Sequence, residues 1–324
     1  MELTLAPDRP VALADLGGTN CRFALWQPGT STRDLRVVVR CRNDDFPDLE
    51  SMIAAYLERL PGEKPVDAVV AVAAPIIGDE IDMSNRDWRF STASVTSKTS
   101  LDSVTFINDF EAQALAIPSL TDSERRTIGP DRTPAGQNAA ILGPGTGLGV
   151  AGLIETHNPP LAITGEGGHM TLGANNRDED RLVAAVRERH GHCSGERVLS
   201  GMGIELLHEL MHGTPGLKAR DISAAALAGD ADARQTFEQF FAFLGAVAAD
   251  VALCLGATRG VYITGGVAFE NALLLAQSPF RERFLAKGRY TEYLDRIPTY
   301  LITADTPALF GLAQYAAGRS EQQQ

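Results

Sequence analysis

The stretch VALADLGGTNCRFAL, residues 11–25, decides the fold class. An apolar run reaches Leu16, two glycines interrupt it at Gly17 and Gly18, and a second apolar run resumes at Cys21 and ends at Leu25. Two short strand-like runs joined by a Gly-rich turn read as a β-hairpin. The arrangement returns in AAILGPGTGLGVAGLI, residues 139–154, with Gly143, Gly145, Gly147 and Gly149 at and around the turn. A further strand, Val261 to Thr264, runs into Gly265 and Gly266. Two such hairpins about 130 residues apart predict a weak internal duplication, one hairpin in each of two α/β lobes.

Other elements interleave with the hairpins. Val69 to Ala73 is a buried-type strand that stops before Pro75, and Val104 to Ile107 is another. Leu49, Ile53, Leu57 and Leu60 carry helical spacing, and a helix is expected from Glu111 to Ile117. The polar stretch 118–137, with Pro118, Pro130 and Pro134, is the expected interlobe boundary. Later helices are expected at 180–190, 204–212, 232–255 and 280–287, and the tail from Ser320 to Gln324 is expected to fray. Alternating strands and helices make the class α/β.

The 324 residues leave room for two domains and an ample core. With 44% hydrophobic and 22% charged residues the chain is of globular type. The net charge of −12 argues against a nucleic-acid partner, because no basic field meets the phosphate backbone. Cys21, Cys41, Cys193 and Cys254 form no CxxC pair, so neither a disulfide framework nor a zinc ribbon is expected. The first ten residues lack a basic segment followed by an apolar one, so no signal peptide is expected. Phe240 to Ala257 is apolar but carries Asp250 and two glycines. It reads as a buried Ala-rich helix, not a span, and the chain is expected to be a soluble cytoplasmic protein with no membrane partner.

Glycine turns between strands can present backbone N–H groups to an anion, where a Cβ would block close approach and hinder φ > 0 conformations. In the first turn, Gly17, Gly18, Thr19 and Asn20 offer such donors, and Asp15 just before it can hold Mg²⁺ through water. Gly145, Thr146 and Gly147 match them in the second. Each turn alone is equally a plain hairpin bend; the pair, one per lobe, points to a clasp around a nucleotide polyphosphate. None of the lysines, Lys64, Lys98, Lys218 and Lys287, follows a GxxxxG, so no P-loop exists. Gly147, Gly149 and Gly152 match GxGxxG by letter, but a strand pattern follows where the dinucleotide fingerprint needs a helix.

Asn108 and Asp109 sit where a hydrophobic strand ends and a helix starts. Either can cap that helix. At the carboxyl end of a strand in an open α/β sheet, Asp109 is equally placed as a general base for an acceptor hydroxyl whose pKa lies far above neutrality. Glu166 and His169, bracketed by Gly165, Gly167 and Gly168, suit the hydroxyls of a bound polyol, the alternative being a solvated loop. Glu196 reads equally as a surface partner of Arg197.

His208-Glu209-Leu210-Met211-His212 is a literal HExxH, which on a helix can bind zinc. Gly213-Thr214-Pro215 follows in place of a metzincin extension, and the expected inward stripe is Ile204, Leu207, Leu210 and Met211. That places Glu205, His208, Glu209 and His212 on the polar face, and no zinc is expected.

Taken in order, DLGGTN (15–20), INDF (107–110), GTGLG (145–149), GEGGH (165–169), ERVLSG (196–201) and Gly265-Gly266 resemble the bacterial glucokinase family. The resemblance runs from about Val11 to Gly311 and includes MSNRDW at 83–88. It implies a two-lobed actin-like, ribonuclease-H-like ATPase fold with an interlobe cleft, residues 1–118 plus 304–324 forming a small lobe and 119–303 a large one. The implied reaction is ATP-dependent phosphorylation of D-glucose at its 6-hydroxyl, the first step of glucose use in glycolysis. Mg·ATP would lie across the two turns with Gly265 and Gly266 near the adenosine. Asn108, Asp109, Glu166, His169 and Glu196 would hold glucose, and Asp109 would take the hydroxyl proton. Homodimers and cytoplasmic location are common in the family. Related kinases and repressors carry a Cys-rich zinc motif beside the loop Glu; here only Cys193 precedes Glu196, so structural zinc is not expected and His169 becomes a sugar contact. With no P-loop lysine, Mg²⁺, backbone N–H groups and the Thr19 and Thr146 hydroxyls would meet the phosphate charge, and lobe closure on sugar would exclude water. A repressor reading needs a helix-turn-helix before Val11, for which ten residues are too few.

Overall fold

The structure, a computed structural model, describes residues 9–76, 78–83, 86–155 and 158–321. Ser84 and Asn85 of the MSNRDW motif lie outside the described residues. The chain runs through β1 (Val11–Leu16), β2 (Asn20–Trp26), β3 (Arg36–Arg42), α1 (Leu49–Arg59) and β4 (Asp67–Val72). A short hairpin, β5 (Glu80–Asp82) and β6 (Arg89–Ser91), precedes α2 (Thr92–Lys98), β7 (Ser103–Asn108) and α3 (Asp109–Ala116). Next come β8 (Arg125–Thr127), β9 (Asn138–Pro144), β10 (Leu148–Ile154) and β11 (Leu161–Gly165). Helices α4 (Arg177–His190), α5 (Gly195–Val198), α6 (Gly201–His212), α7 (Ala219–Ala228) and α8 (Ala231–Leu255) follow. Last are β12 (Gly260–Ile263), α9 (Gly266–Glu270), α10 (Ala272–Gln277), α11 (Phe280–Leu285), α12 (Thr291–Asp295), β13 (Thr299–Ile302) and α13 (Pro307–Glu321).

The chain divides into two compact units, one of residues 1–121, 155–164 and 304–324, the other of residues 122–154 and 165–303. In the first, the strand order is β3-β2-β1-β4-β7, with β1 antiparallel to β2 and parallel to β4, and β4 parallel to β7. Side chains alternate across a strand. Ala12, Ala14, Leu16, Cys21, Phe23, Val70 and Val72 enter one core with α1, and Val11, Leu13, Ala24, Trp26, Val69 and Ala71 enter another with α13. Both faces being covered, β1 and β4 read as continuous apolar runs. Helix α13 packs on α3, where Gly311 is needed because a Cβ would run into the Ala112 carbonyl.

The second unit repeats the plan. Strand β9 is antiparallel to β10 and parallel to β12, which is parallel to β13. The duplication expected from the two hairpins therefore extends to four strands. Helix α8, whose apolar stretch is long enough to span a bilayer, is the core helix of this unit: Phe237, Phe240, Phe241 and Phe243 are buried in it. Its two glycines have separate reasons. A Cβ on Gly245 would meet the Phe280 backbone of α11, and Gly256 adopts φ +58° to end the helix. Beside it the buried Glu179 carboxylate accepts from Arg283 Nε at 3.2 Å and Nη2 at 2.9 Å, joining α4 to α11.

Two expectations need correction, and one strand lies where the sequence pattern marked none. Helix α3 begins at Asp109, two residues early, because Asn108 supplies the cap. The polar stretch 118–137 contains a strand, β8, antiparallel to β13, which its arginines hid from an apolar pattern. The tail expected to fray is still helical at Ser320 and Glu321.

Candidate active site

In the first unit the decisive geometry is register. Leu16 stands beside Val72, and Val72 beside Asn108, so β1, β4 and β7 end level at their carboxyl ends. The turn after β1 and the start of α3 therefore share one edge of the sheet, two strand spacings or roughly 10 Å apart. Asp15 falls on the face that α13 covers, by alternation with Val11 and Leu13.

The turn is held from behind by a residue the sequence did not single out. Asn43, fully buried, donates through Nδ2 to the Gly17 carbonyl at 2.8 Å and through its backbone N–H to the Thr19 carbonyl at 3.0 Å. The Gly17 N–H closes on the Asn20 carbonyl at 3.0 Å, leaving Thr19 exposed at the tip. An isolated Asn in a polar RNDD run carries no signal of this role.

Asp15 stands opposite Arg22 across the hairpin, Oδ2 to Nη1 3.4 Å. Burial pushes its carboxyl above the ordinary value, and the guanidinium opposes that rise. Magnesium that retains its waters needs only one or two protein carboxylates together with substrate phosphates. Asp15 fits this demand. Among the described residues no cluster of three or more metal-ligating side chains occurs, and a water-mediated site requires none.

At the end of β7 Asn108 takes the capping role that the sequence offered to it or to Asp109. Its Oδ1 caps α3, accepting from the N–H groups of Phe110 at 2.9 Å and Glu111 at 3.4 Å, while Nδ2 donates to the Ala74 carbonyl at 3.4 Å. Asp109 is the first helical residue, its Oδ1 accepting from the Phe110 N–H at 3.0 Å. Carboxylates at a helix N-terminus are stabilised in their charged form.

In the second unit the β9–β10 turn, the Glu166–His169 loop and α5 form one cluster. The Gly145 N–H closes on the Gly147 carbonyl at 2.8 Å, and the Gly201 N–H donates to the Gly145 carbonyl at 2.9 Å. Glu196 Oε2 accepts from the Leu148 N–H at 3.1 Å, and Oε1 lies 3.7 Å from His169 Nε2. Glu196 therefore braces the turn and makes no pair with Arg197, contrary to the alternative the sequence left open. Glu166 starts the 3-10 turn Gly167–His169 and is exposed, as is His169. Gly265, at φ +90°, lies against the Gly143 and Pro144 backbone, so the end of β12 joins the same cluster. Gly266 faces open space.

The glycines act differently from expectation. Gly17, Gly145 and Gly147 avoid the left-handed region. A Cβ on Gly147 would meet the Glu196 carboxylate and push it from its place against the turn, whereas Gly145 leaves open space beside the turn.

The HExxH segment is also corrected. His208 is buried, not on a polar face, with Nδ1 2.9 Å from Thr236 Oγ1. That hydroxyl spends its proton on the Asp232 carbonyl at 3.0 Å, which assigns the proton of the imidazole contact to His208 Nδ1. His212 is likewise covered, 3.6 Å from Asp232, and Glu209 pairs with Arg189 at 2.8 Å. The inward stripe turns toward α8, so Leu210 and Met211 are only half-buried.

The glucokinase family profile matches residues 12–319. This chain belongs to the glucokinase family. It is 41% identical over 323 residues to the glucokinase of Ralstonia nicotianae, covering 94% of each chain. It is also 41% identical over 322 residues to the bifunctional protein glk of Burkholderia lata, covering 96% of this chain and 49% of that one. The chain thus spans about half the length of the bifunctional relatives it matches. Among solved structures, a glucokinase from an Antarctic psychrotroph superposes with TM-score 0.84 at 34% identity, covering 94% of this chain and 98% of that one. The α/β fold of both units is that of the actin-like sugar kinases to which this family belongs.

Proposed function

We propose that this chain transfers the terminal phosphoryl group of ATP to the 6-hydroxyl of D-glucose, giving glucose 6-phosphate and ADP. The observation that carries the reading is the level ending of β1, β4 and β7, which sets Asp109 and the Gly17–Asn20 turn on one sheet edge. Family membership supplies the substrate class.

Asp109 acts as general base. Its place in the first turn of α3 suits a carboxylate, and its Phe110 contact fixes the orientation of the group. Asn108 keeps one Nδ2 hydrogen beyond its Ala74 contact for a sugar oxygen. Glu196, braced by Leu148, and the neighbouring His169 and Glu166 take other hydroxyls of glucose. A site of this kind rejects analogues that leave its polar groups unpaired. Backbone N–H groups around Gly17, Gly18, Thr19, Asn20, Gly145, Thr146 and Gly147, with the two Thr hydroxyls, receive the phosphates. The open space at Gly266 takes the adenosine, and Gly265 holds that edge in place. Magnesium, carried through water by Asp15, supplies the positive charge that no P-loop lysine provides. A cytoplasmic homodimer goes with this reading through the family resemblance.

The test is ADP release measured against a hexose panel, with and without magnesium, and the product assigned by NMR. Glucose is expected to be turned over at least tenfold faster than galactose, fructose and N-acetylated amino sugars, and only with magnesium. Faster turnover of another hexose sinks the substrate assignment. Sedimentation of the full chain checks the dimer.

A further inference from the structure

Cys21 on β2 and Cys41 on β3 stand directly opposite each other. Residues so paired project to the same face of a sheet, and both side chains pack into the core that α1 covers. The register also sets their spacing. The Asn43 N–H donates to the Thr19 carbonyl, making Thr19 and Asn43 a hydrogen-bonded pair. Two steps along the ladder Cys21 and Cys41 are again such a pair, with Cα atoms about 5.5 Å apart. That spacing is ordinary for a disulfide, whereas Cβ atoms near 5.5 Å are wider than the roughly 3.8 Å of a relaxed one. Both cysteines are free thiols, Cys21 fully buried and Cys41 partly exposed.

We propose that Cys21 and Cys41 are a reversible thiol-modification site, closing to a cross-strand disulfide by exchange with a low-molecular-weight disulfide such as oxidised glutathione. Cys41, the accessible partner, reacts first. Its thiolate attacks one sulfur of the small disulfide, that S–S bond breaks, and one small thiolate leaves. The Cys21 thiolate then attacks the Cys41 sulfur, the protein S–S bond forms, and the second small thiolate leaves. Two protein thiols are oxidised and one small disulfide is reduced to two thiols, which take up the two cysteine protons. Burial holds both thiols above their usual pKa, and at Cys41 the Arg59 guanidinium opposes the effect of burial. The thiolate supply is thus small and closure is slow. Drawing the Cβ atoms together strains the hairpin, which makes the bond easy to reduce and the modification reversible. The cross-link sits one residue beyond the Gly17–Asn20 turn, so it tightens that turn. An effect on nucleotide binding rests on the proposed function; formation of the bond does not.

The experiment treats the full chain with excess oxidised glutathione, quenches with acid, alkylates and maps peptides by mass spectrometry. The expected result is a Cys21–Cys41 linked peptide pair with neither cysteine alkylated, glutathione on exposed Cys254, and full recovery of all four thiols with dithiothreitol. Cys21→Ser is expected to stop at a glutathione adduct on Cys41, and Cys41→Ser to leave Cys21 unmodified. Exposed Cys254 is the internal control for oxidant. If wild-type protein carries glutathione on Cys254 while Cys21 and Cys41 remain separate thiols, or if Cys41 keeps a stable adduct, the proposal is overturned. The wild-type map decides the matter even if a variant fails to fold.

Discussion

The two units share a strand plan but end it with different chemistry. In the first, β1 ends in the Gly17–Asn20 turn, β4 in Ala73-Ala74, and β7 in Asn108 and Asp109. In the second, β9 ends in the Gly145–Gly147 turn, β12 in Gly265 and Gly266, and β13 in Thr303, whose N–H is spent on the Glu124 carbonyl. The first unit thus offers a carboxylate where the second is closed off, and the second offers bare backbone where the first has alanines. Duplicated scaffolds can divide labour in this way because strand ends tolerate substitution that the shared core does not. On the proposed reading, proton removal belongs to the first unit and room for a bulky nucleotide to the second.

The strongest way to break this division is Asp109→Asn. It removes the basic carboxylate while keeping the shape, so turnover is expected to fall about 10³-fold. Thermal stability and glucose binding by calorimetry should change little. Normal turnover in that variant ends the assignment of the base.

The matching change in the second unit is Gly265→Val. At φ +90°, against the Pro144 backbone, a side chain brings both strain and a collision, expected to cost at least about 2 kcal/mol in denaturant melts. Gly266→Ala is the control: its Cβ meets open space, so stability should hold within about 0.5 kcal/mol while the KM for ATP rises. If both variants melt like wild type, the end of β12 is not the rigid element described.

A smaller effect is expected behind the first turn. Asn43→Ala deprives the Gly17 carbonyl of its side-chain donor in a buried place, at a cost of about 1–3 kcal/mol. The KM for ATP should rise severalfold with kcat less affected. Its counterpart pin, the Gly201 N–H on the Gly145 carbonyl, is backbone, and only proline at position 201 would remove the donor, which is where the two turns differ most in vulnerability.

These sites were legible to unequal degrees. The hairpins, the buried strand β4 and the long helix α8 stood out because each leaves a local apolar pattern. Asn108, Asp109 and the glycine turns stood out because an abrupt polar or Gly interruption at the end of an apolar run is also local. Strand β3 is a mostly exposed edge strand whose apolar run, Val37 to Val39, is only three residues long and flanked by arginines, too short to stand out. Asn43 acts across a sheet edge, and the Cys21–Cys41 pairing depends on register, so neither is visible in linear spacing. The face of α6 was misjudged because its histidines find a partner on α8, and a hydrogen bond to Thr236 makes a buried imidazole affordable.

That histidine supplies the subtlest test of the comparison, since the two units respond to acid with opposite sign. Among the described residues every histidine lies in the second unit. Burial, and then neighbouring His212, hold His208 below the ordinary imidazole value of 6.5, with Asp232 and Asp230 opposing. The unfolded chain then takes up the proton first, so this unit loses stability as pH falls through about 6.5 and below. In the first unit burial holds Asp15 and Glu111 above their ordinary values of 3.8 and 4.5. The folded state binds those protons more tightly, so their contribution grows as pH falls toward the raised values and is lost as pH rises through them. Hydrogen exchange at pH 7 and pH 5.5, corrected for intrinsic rates, should show α6 and α8 losing protection while β1 and β2 hold or gain it. His208→Gln should flatten the response of α6 and α8 alone. Equal loss in both units, or a response that survives the substitution, would mean that the acid sensitivity does not reside at this imidazole.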